Sequence, residues 1–415
     1  MPSQPVRLIL AADLRLGQPL YTSISLTDSA REIVLDSTYA AWERLILEAV
    51  DRDVDLLILN GNSFVASCWS YHSEACLRAG LETLLAADIR VVVNPGPDDP
   101  YDAWKVFDDL DLQIFSPDHS GWEPIVGTSG CVLCEILRSD GHLESDARDL
   151  HEADVEGILR ILLNRSDVLS KETPLPKGID LAIHSGEVVW RRENSTDQLR
   201  LGCQSPQVAY HCSDPQGAVF LDSNRDRQIR ASRLDTAAVS FLQFELDLTG
   251  IDSWEDAAIL MMTRFEDHAW TEAERLRLIV WDVSGESPLA LELIDGSGEA
   301  RLLEAFGACL SLPEEVCVLH EFRPHLPLAR SLFSHLPTPH LAEHFLDAFD
   351  RESSIEDWTE RLNPVFESSR FTESNRLDVS RQLDSPQIAR HATAVIRQWL
   401  AGTLLEDLKV ENQAD

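Results

Sequence analysis

Polar residues of three kinds follow the strand-like segments of this sequence, where α/β proteins commonly place their chemistry. Asp13 lies at the end of the first segment, Asn62 at the end of the second, Asp98 and Asp99 after the third, and His184 near the end of a later one. Carboxylate, amide and imidazole groups are all ligands for divalent metal ions. Taken singly, each residue is more simply explained as a turn, a helix cap or a packed side chain. Their repeated occurrence at strand ends indicates a shared site.

The elements that would position these residues alternate along the first half of the chain. Strands are predicted over 6–14, 54–62 and 89–94, with helices over 36–50 and 70–87. This βαβαβ order predicts a mostly parallel sheet with right-handed crossovers. Because parallel strands end at one edge of a sheet, we expect His184 within about 12 Å of Asp13, a span of several extended residues.

The rest of the chain divides by pattern. Two further strands are predicted over 131–137 and 179–187, and short antiparallel strands from about 206. A helix over 253–269, a strand over 275–283 and a helix over 300–310 form a small α+β unit, and the remainder is polar and helical. We therefore predict three parts: 1–250, 251–326 and 327–415.

Composition narrows the class of protein. The 415 residues include 35 Lys and Arg against 71 Asp and Glu, for a net charge of −36. Such a surface repels DNA, RNA and anionic lipid, which counts against direct nucleic-acid binding. We expect a cytoplasmic protein with no signal peptide and no membrane span. Cys131 and Cys134 form a C-x-x-C pattern without a second ligand pair, which favours small packed residues over a zinc or redox site.

The order and spacing of the strand-end residues resemble the calcineurin-like metallophosphoesterases. More narrowly, they resemble the SbcD-type double-strand-break nuclease subunits of DNA repair and their YhaO-like bacterial relatives. That family carries Asp-x-His after the first strand, Gly-Asp after the second, Gly-Asn-His-Asp after the third, a later His and a final Gly-His-x-His, and it binds two metal ions, usually manganese. The segments "DSTYAAWERLILEAVDRDVDLLILNGN" and "AYHCSDPQGAVF" are also similar to the family.

The resemblance covers about residues 6–250 and continues loosely beyond them. It implies an α/β fold: a metallophosphoesterase-like sandwich of β-sheets flanked by helices. A small α+β cap and a helical C-terminal region would follow. Asp13, Asn62 and His184 would be the remnant metal ligands, and Asp99 matches the closing Asp of the third motif.

Four positions depart from the family pattern, and Asn62 is one of them. Arg15 stands in place of the first His, Asn62 in place of the bridging Asp, Pro97 in place of the ligand Asn, and Asp98 in place of the catalytic His. No Gly-His-x-His is found, and the catalytic residue is left unassigned. Asn62 brings an oxygen without charge, although two neighbouring cations need a bridging anion. At 4 Å and an effective dielectric constant near 20, a dication and a guanidinium repel by roughly 8 kcal/mol.

These departures predict a degenerate site without a metal cofactor. We expect the Arg15 guanidinium to fill the metal position and to lie within about 4 Å of Asp13, Asp98 or both. Manganese or another divalent metal would bind only if the site is still functional.

Three functions are compatible with the sequence. The chain is either a catalytically degenerate subunit that acts with an SbcC/YhaN-like coiled-coil ATPase, or an active exonuclease or phosphoesterase, or a module that binds a phosphate compound through Arg15. An active hydrolase would need a rearranged site, with ligands from His211, His72 or Asp99. A homodimer is also expected, because SbcD-type proteins often dimerise.

Overall fold

The computed structural model describes the chain in separate ranges, which are 5–20, 22, 24–117, 121–139, 158–164, 178–185, 191–192, 199–203, 205–207, 217–224, 228–266, 268–285, 287, 289, 292–293, 297–309 and 317–324. The chain forms two compact units. The first comprises Met1–Phe241 and Thr271–Arg277, and the second comprises Leu242–Trp270 and Leu278–Asp415.

Two six-stranded sheets form the first unit. Its strands are β1 (Val6–Ala11), β2 (Leu56–Asn60), β3 (Arg90–Asn94), β4 (Gln113–Ile114), β5 (Trp122–Val126), β6 (Val132–Ser139), β7 (Leu159–Asn164), β8 (Leu181–Ser185), β9 (Arg191–Arg192), β10 (Leu199–Cys203), β11 (Ala218–Ser223) and β12 (Ile229–Leu234). One sheet has the order β12-β11-β1-β2-β3-β4 and the other has the order β5-β6-β7-β8-β10-β9. The central strands of both sheets are parallel.

An apolar core lies between the two sheets. Alternate residues of β1 and β2, such as Leu10 and Ile58, pack in one cluster with Ile161 of β7 and Ile183 of β8. Successive strand side chains point to opposite faces, so their neighbours Ile9 and Leu57 belong to a second cluster on the other face of the first sheet. Strand β2 is therefore buried on both sides, as expected for a central parallel strand.

Helices α1 (Asp28–Asp51) and α2 (Tyr71–Ala86) supply the second cluster with Trp42, Leu77 and Leu81. Helix α1 begins at Asp28, so the predicted start near Asp36 was wrong. Thr27 caps the helix by accepting a hydrogen bond from the Ala30 N–H. Two 3₁₀ segments, Ala66–Cys68 and Tyr101–Phe107, follow β2 and β3.

A three-stranded sheet and two helices are the elements described in the second unit. The elements are β13 (Val239–Asp247, which begins in the first unit), α3 (Trp254–Glu266), β14 (Leu276–Ser284), α4 (Ser297–Cys309) and β15 (Cys317–Pro324), with sheet order β13-β14-β15. Met261 of α3 and Phe306 of α4 pack on Trp281 of β14 in one apolar cluster.

The predicted α/β sandwich, with sheets flanked by helices, is confirmed. Strands β4, β5, β7, β9, β10 and β15 were not predicted. The division at 250 and 326 stays a prediction, and the region 327–415 lies outside the described residues. Within the described residues, no helix combines the length and apolar character needed to cross a bilayer.

Candidate functional site

The turns that follow β1 and β2 hold three non-glycine residues in the left-handed backbone region. The φ angles are 49° at Asp13, 47° at Arg15 and 49° at Asn62. Asp and Asn tolerate this conformation better than most residues, whereas for other L-residues it costs roughly 1–2 kcal/mol. Backbone strain concentrated at strand ends is typical of a site whose geometry is held by its surroundings.

Backbone hydrogen bonds extend the pairing of β1 and β2 into these turns. The N–H of Asp13 donates to the Gly61 carbonyl, and the N–H of Arg15 donates to the Asn62 carbonyl, both at 2.9 Å. A third bond joins Leu16 to Ser63 at the same distance. The two turns are therefore fixed side by side, as the shared strand edge predicted.

Asp99 is the buried anchor of the site. Its Oδ1 accepts hydrogen bonds from the N–H groups of Asn62 (2.8 Å) and Gly96 (2.5 Å). Its Oδ2 accepts from the Ser63 N–H (2.8 Å) and from Trp104 Nε1 (3.3 Å). Burial raises the pKa of Asp99 to about 6, and the three backbone hydrogen bonds oppose that rise. One carboxylate thus ties the turn after β2 to the turn after β3.

Asn62 joins the remaining polar residues. Its Nδ2 donates to Asp13 Oδ1 at 2.7 Å, and its Oδ1 accepts from the Asp98 N–H at 3.0 Å. Both ends of the amide are thus engaged. A carboxylate at position 62 could not donate to Asp13, so the neutral amide suits a site that already contains three acids.

The Arg15 guanidinium bridges the two acids, as predicted. Its Nε lies 3.6 Å from Asp13 Oδ1, and its Nη1 lies 3.5 Å from Asp98 Oδ2. Nη1 also donates to Gln18 Oε1 at 3.4 Å. The Arg15 side chain is 11% exposed and that of Asp98 is 8% exposed, so water screens this part of the network weakly.

This donor set does not fit a two-metal centre. Of the predicted ligands, Asp13 faces the positive charge of Arg15 through its Oδ1, and Arg15 also contacts Asp98 Oδ2. Asn62 supplies no charge to bridge two cations. Within the part of the chain that the structure describes, no group of three or more His, Cys, Asp or Glu side chains could hold a metal ion.

Other predicted residues stand apart from this network. Pro97 is exposed on the turn after β3. His184 lies near the end of β8, in register with Asn164 and Gly202, but its side chain is outside the described structure, so its ligand role and its distance from Asp13 stay predictions. His72 packs against Tyr39, with ring centroids 4.7 Å apart and the ring planes tilted by 58°. His211 lies outside the described residues.

Ser205 reaches the site, which sequence analysis missed. Its Oγ lies 2.5 Å from the Asp13 carbonyl oxygen. The stretch from Gly202 to Ser205 reads Gly-Cys-Gln-Ser, and its first two residues are the last two of β10. A Gly-His-x-His motif starting at Gly202 would place its second His at position 205. A glycine at the end of a strand, three residues before Ser205, was the signal that could have found it.

The C-x-x-C pattern has no paired geometry. Cys131 is exposed and Cys134 is buried, and both are free thiols. Burial raises the pKa of the Cys134 thiol, which disfavours the thiolate that metal binding or redox chemistry requires.

Two asparagines lie side by side beneath the turns. Asn60 and Asn94 end β2 and β3 and are register partners. Asn94 Nδ2 donates to Asn60 Oδ1 at 2.8 Å, and both side chains are buried. Their positions continue the face that carries Ile58 and Val92, so the pair closes the end of the core between the sheets.

Comparisons with known proteins add little to this description. No family model matches the chain, and no curated protein matches it. Among solved structures, the chain is similar to the TT1561 protein of Thermus thermophilus, with 12% sequence identity and a TM-score of 0.32 over 55% of this chain and 99% of that one. A similarity at this TM-score assigns neither a family nor a function to the chain.

Proposed function

We propose that this chain is a catalytically degenerate, SbcD/YhaO-like metallophosphoesterase-family protein that acts as a subunit beside an SbcC/YhaN-like coiled-coil ATPase. The observation that carries the proposal is the guanidinium of Arg15 between Asp13 and Asp98. A fixed positive charge at this point repels a divalent cation, and it offsets one of the two negative charges that would otherwise attract such a cation.

The rest of the network supports the same function. Asn62 satisfies Asp13 and the Asp98 backbone without carrying charge. Ser205 offers a hydroxyl, which is engaged with the Asp13 backbone, at the spacing of a family histidine. Because the polar groups of this cluster hydrogen-bond to one another, the cluster is stable without a metal. Selection would then preserve the surfaces through which the chain binds its partner.

The phosphate-binding alternative is less well supported. Arg15 would have to leave two carboxylates to contact a phosphate, and those carboxylates would then repel the ligand. The alternative of an active hydrolase has one supporting observation. The Asp13 side chain is 33% exposed, so it remains open to a single cation from solution.

Manganese loading tests the proposal. The chain is incubated with Mn²⁺, desalted, analysed for bound metal and assayed for Mn²⁺-dependent cleavage of linear duplex DNA. We expect no retained metal and no cleavage above background. The double variant Arg15→His with Asn62→Asp removes the guanidinium and adds a bridging carboxylate, so we expect it to retain Mn²⁺. Arg31→His, at an exposed residue paired with Asp28, is the matched control and should retain none.

Cleavage of DNA ends by the unaltered chain, abolished in His184→Ala, would overturn the proposal and support the active hydrolase. Phosphate-dependent thermal stabilisation, lost in Arg15→Ala, would support the binding module instead. The partner is tested separately by copurification with an SbcC/YhaN-like ATPase of the same organism, and failure to form a complex contradicts that part of the proposal.

A further inference from the structure

A three-residue segment joins the site to the strand that leads out of the first unit. Residues 205–207, the 205–207 strap, follow β10 and are buried along their whole length. Ser205 is 7% exposed and Gln207 is 0% exposed. The strap has polar contacts at both ends, which is unusual for a buried connection that could have been apolar.

At the first end, Ser205 holds the turn after β1. Its hydroxyl is within reach of two acceptors, the carbonyl of Asp13 at 2.5 Å and that of Gln207 at 2.7 Å. The Asp13 backbone that it contacts is the left-handed residue whose side chain pairs with Arg15 and Asn62. A shift of this turn therefore alters the Ser205 contact directly.

At the other end, Gln207 pairs with Val239 as a neighbouring strand would. Its Nε2 donates to the Val239 carbonyl and its Oε1 accepts from the Val239 N–H, both at 2.9 Å. Thr236 adds a bond from its hydroxyl to the Pro206 carbonyl at 2.9 Å. Val239 is the first residue of β13, so the strap ends where that strand begins.

We propose that the 205–207 strap couples the position of the turn that carries Asp13 and Arg15 to the hydrogen bonds of Val239, the first residue of β13. The strap is short and buried, and Pro206 has a fixed φ angle, so displacement at Ser205 is transmitted to Gln207 instead of being absorbed. This coupling does not depend on the proposed function, since it would operate with or without a metal.

Hydrogen exchange at the Val239 amide tests the coupling, because that N–H donates to Gln207. The variants are Arg15→Lys, Ser205→Ala and the two combined, measured in the full chain. Arg15→Lys keeps the charge but loses the fork that contacts both acids. We expect it to speed exchange at Val239 by about fivefold, while Leu57 in the centre of β2 reports only global opening.

Ser205→Ala breaks the link, so it should itself speed exchange at Val239, and Arg15→Lys should then add nothing further. Arg31→Lys is the matched control and should have no effect. If Ser205→Ala does not fold, Gln207→Glu replaces it. This variant keeps the acceptor for the Val239 N–H but loses the donor to the Val239 carbonyl. In it, too, Arg15→Lys should no longer speed exchange at Val239. Unchanged exchange at Val239 in Arg15→Lys, or effects of the two substitutions that simply multiply, would overturn the coupling.

Discussion

Charge decides what the residue cluster around Arg15 can bind. The guanidinium faces two carboxylates at distances of 3.5 and 3.6 Å, with Asp99 buried beneath them. An incoming anion would meet carboxylates, and an incoming dication would meet the guanidinium. Arg15 therefore weakens the attraction of the cluster for a dication, and the carboxylates repel an anion.

Asp99→Asn tests the anchor at the residue scale. Both oxygens of Asp99 accept two hydrogen bonds each, so an amide NH₂ would face N–H donors in either orientation. We expect the free energy of unfolding to fall by about 2–3 kcal/mol, measured by urea denaturation. Asp102→Asn is the control: Asp102 pairs with Lys105 at the surface, and its loss should change stability by less than about 0.5 kcal/mol. Equal effects of the two variants would contradict the anchor role.

The sequence predicted most residues of the site but not Ser205. Asp13, Asn62, Asp98 and His184 were predicted to meet because parallel strands end at one edge; the first three do, with Arg15 between the two acids, and the place of the His184 side chain stays a prediction. Ser205 was missed because it lies 192 residues from Asp13 and contributes a hydroxyl, which no ligand pattern contains.

At the scale of elements, the close approach of two turns depends on a missing side chain. A β-carbon on Gly96 would overlap Asn62 Oδ1 and lie 2.5 Å from the Asn62 nitrogen. Gly96→Ala must therefore separate the turns after β2 and β3, and we expect a loss of about 1–3 kcal/mol in stability by urea denaturation.

Gly307→Ala is the matched control for that loss. A β-carbon on Gly307 has open space within 4 Å, and the residue lies in α4. Relief of backbone entropy should raise stability by up to about 1 kcal/mol. A Gly96→Ala protein as stable as the unaltered chain would show that the turns have room to separate.

The burial of His320 in the second unit predicts that the stability of the protein depends on pH. His320 of β15 stacks between Trp281 and Phe322, and its Nδ1 accepts a hydrogen bond from Trp281 Nε1 at 3.0 Å. Burial lowers the pKa of His320 from 6.5 to about 4. The folded state therefore holds the neutral ring, and stability present above pH 6.5 is lost as the pH falls towards 4.

The free energy of unfolding should fall by about 2 kcal/mol at low pH. This is less than the full pKa shift of His320 implies, because the ring is only partly buried. It is measured as the difference in urea midpoint between pH 7 and pH 4.5. His320→Asn keeps an acceptor for Trp281 but does not titrate, so its midpoint should fall less over the same range. Parallel pH profiles for the two proteins would rule out His320 as the cause.

Strands and helices could be predicted where the sequence is uniformly apolar, and were missed where a proline or polar residues interrupt the pattern. The Val91–Val93 run marked β3 because β-branched residues suit a strand covered on both faces. Strand β5 was missed because Pro124 interrupts it, and prolines are ordinarily confined to edge strands such as this one. The first turns of α1 were missed because "TDSARE" is polar, although Thr27 is a good cap.

At the scale of the whole molecule, the net charge of −36 predicts the response to DNA. Binding to duplex DNA releases counterions only when basic side chains replace them, and here acids outnumber bases about two to one. We expect no change in the fluorescence anisotropy of labelled duplex up to about 10 µM protein in low salt, where electrostatic binding is strongest. An oligo-lysine peptide is the positive control. Micromolar binding that weakens with added salt would show that basic residues are segregated on one face.

The Asn60–Asn94 pair also bears on how the chain reaches its native state. In the native alignment the two amides meet each other; a slip of two residues between β2 and β3 would instead set an amide against Ile58 or Val92. A buried amide without a partner costs about 1–3 kcal/mol, and here two would be stranded at once. Runs such as "LLIL" and "VVV" would otherwise tolerate several alignments. The two amides thus act against misaligned folding intermediates, which would make them important to folding yield even where they contribute little to the final stability.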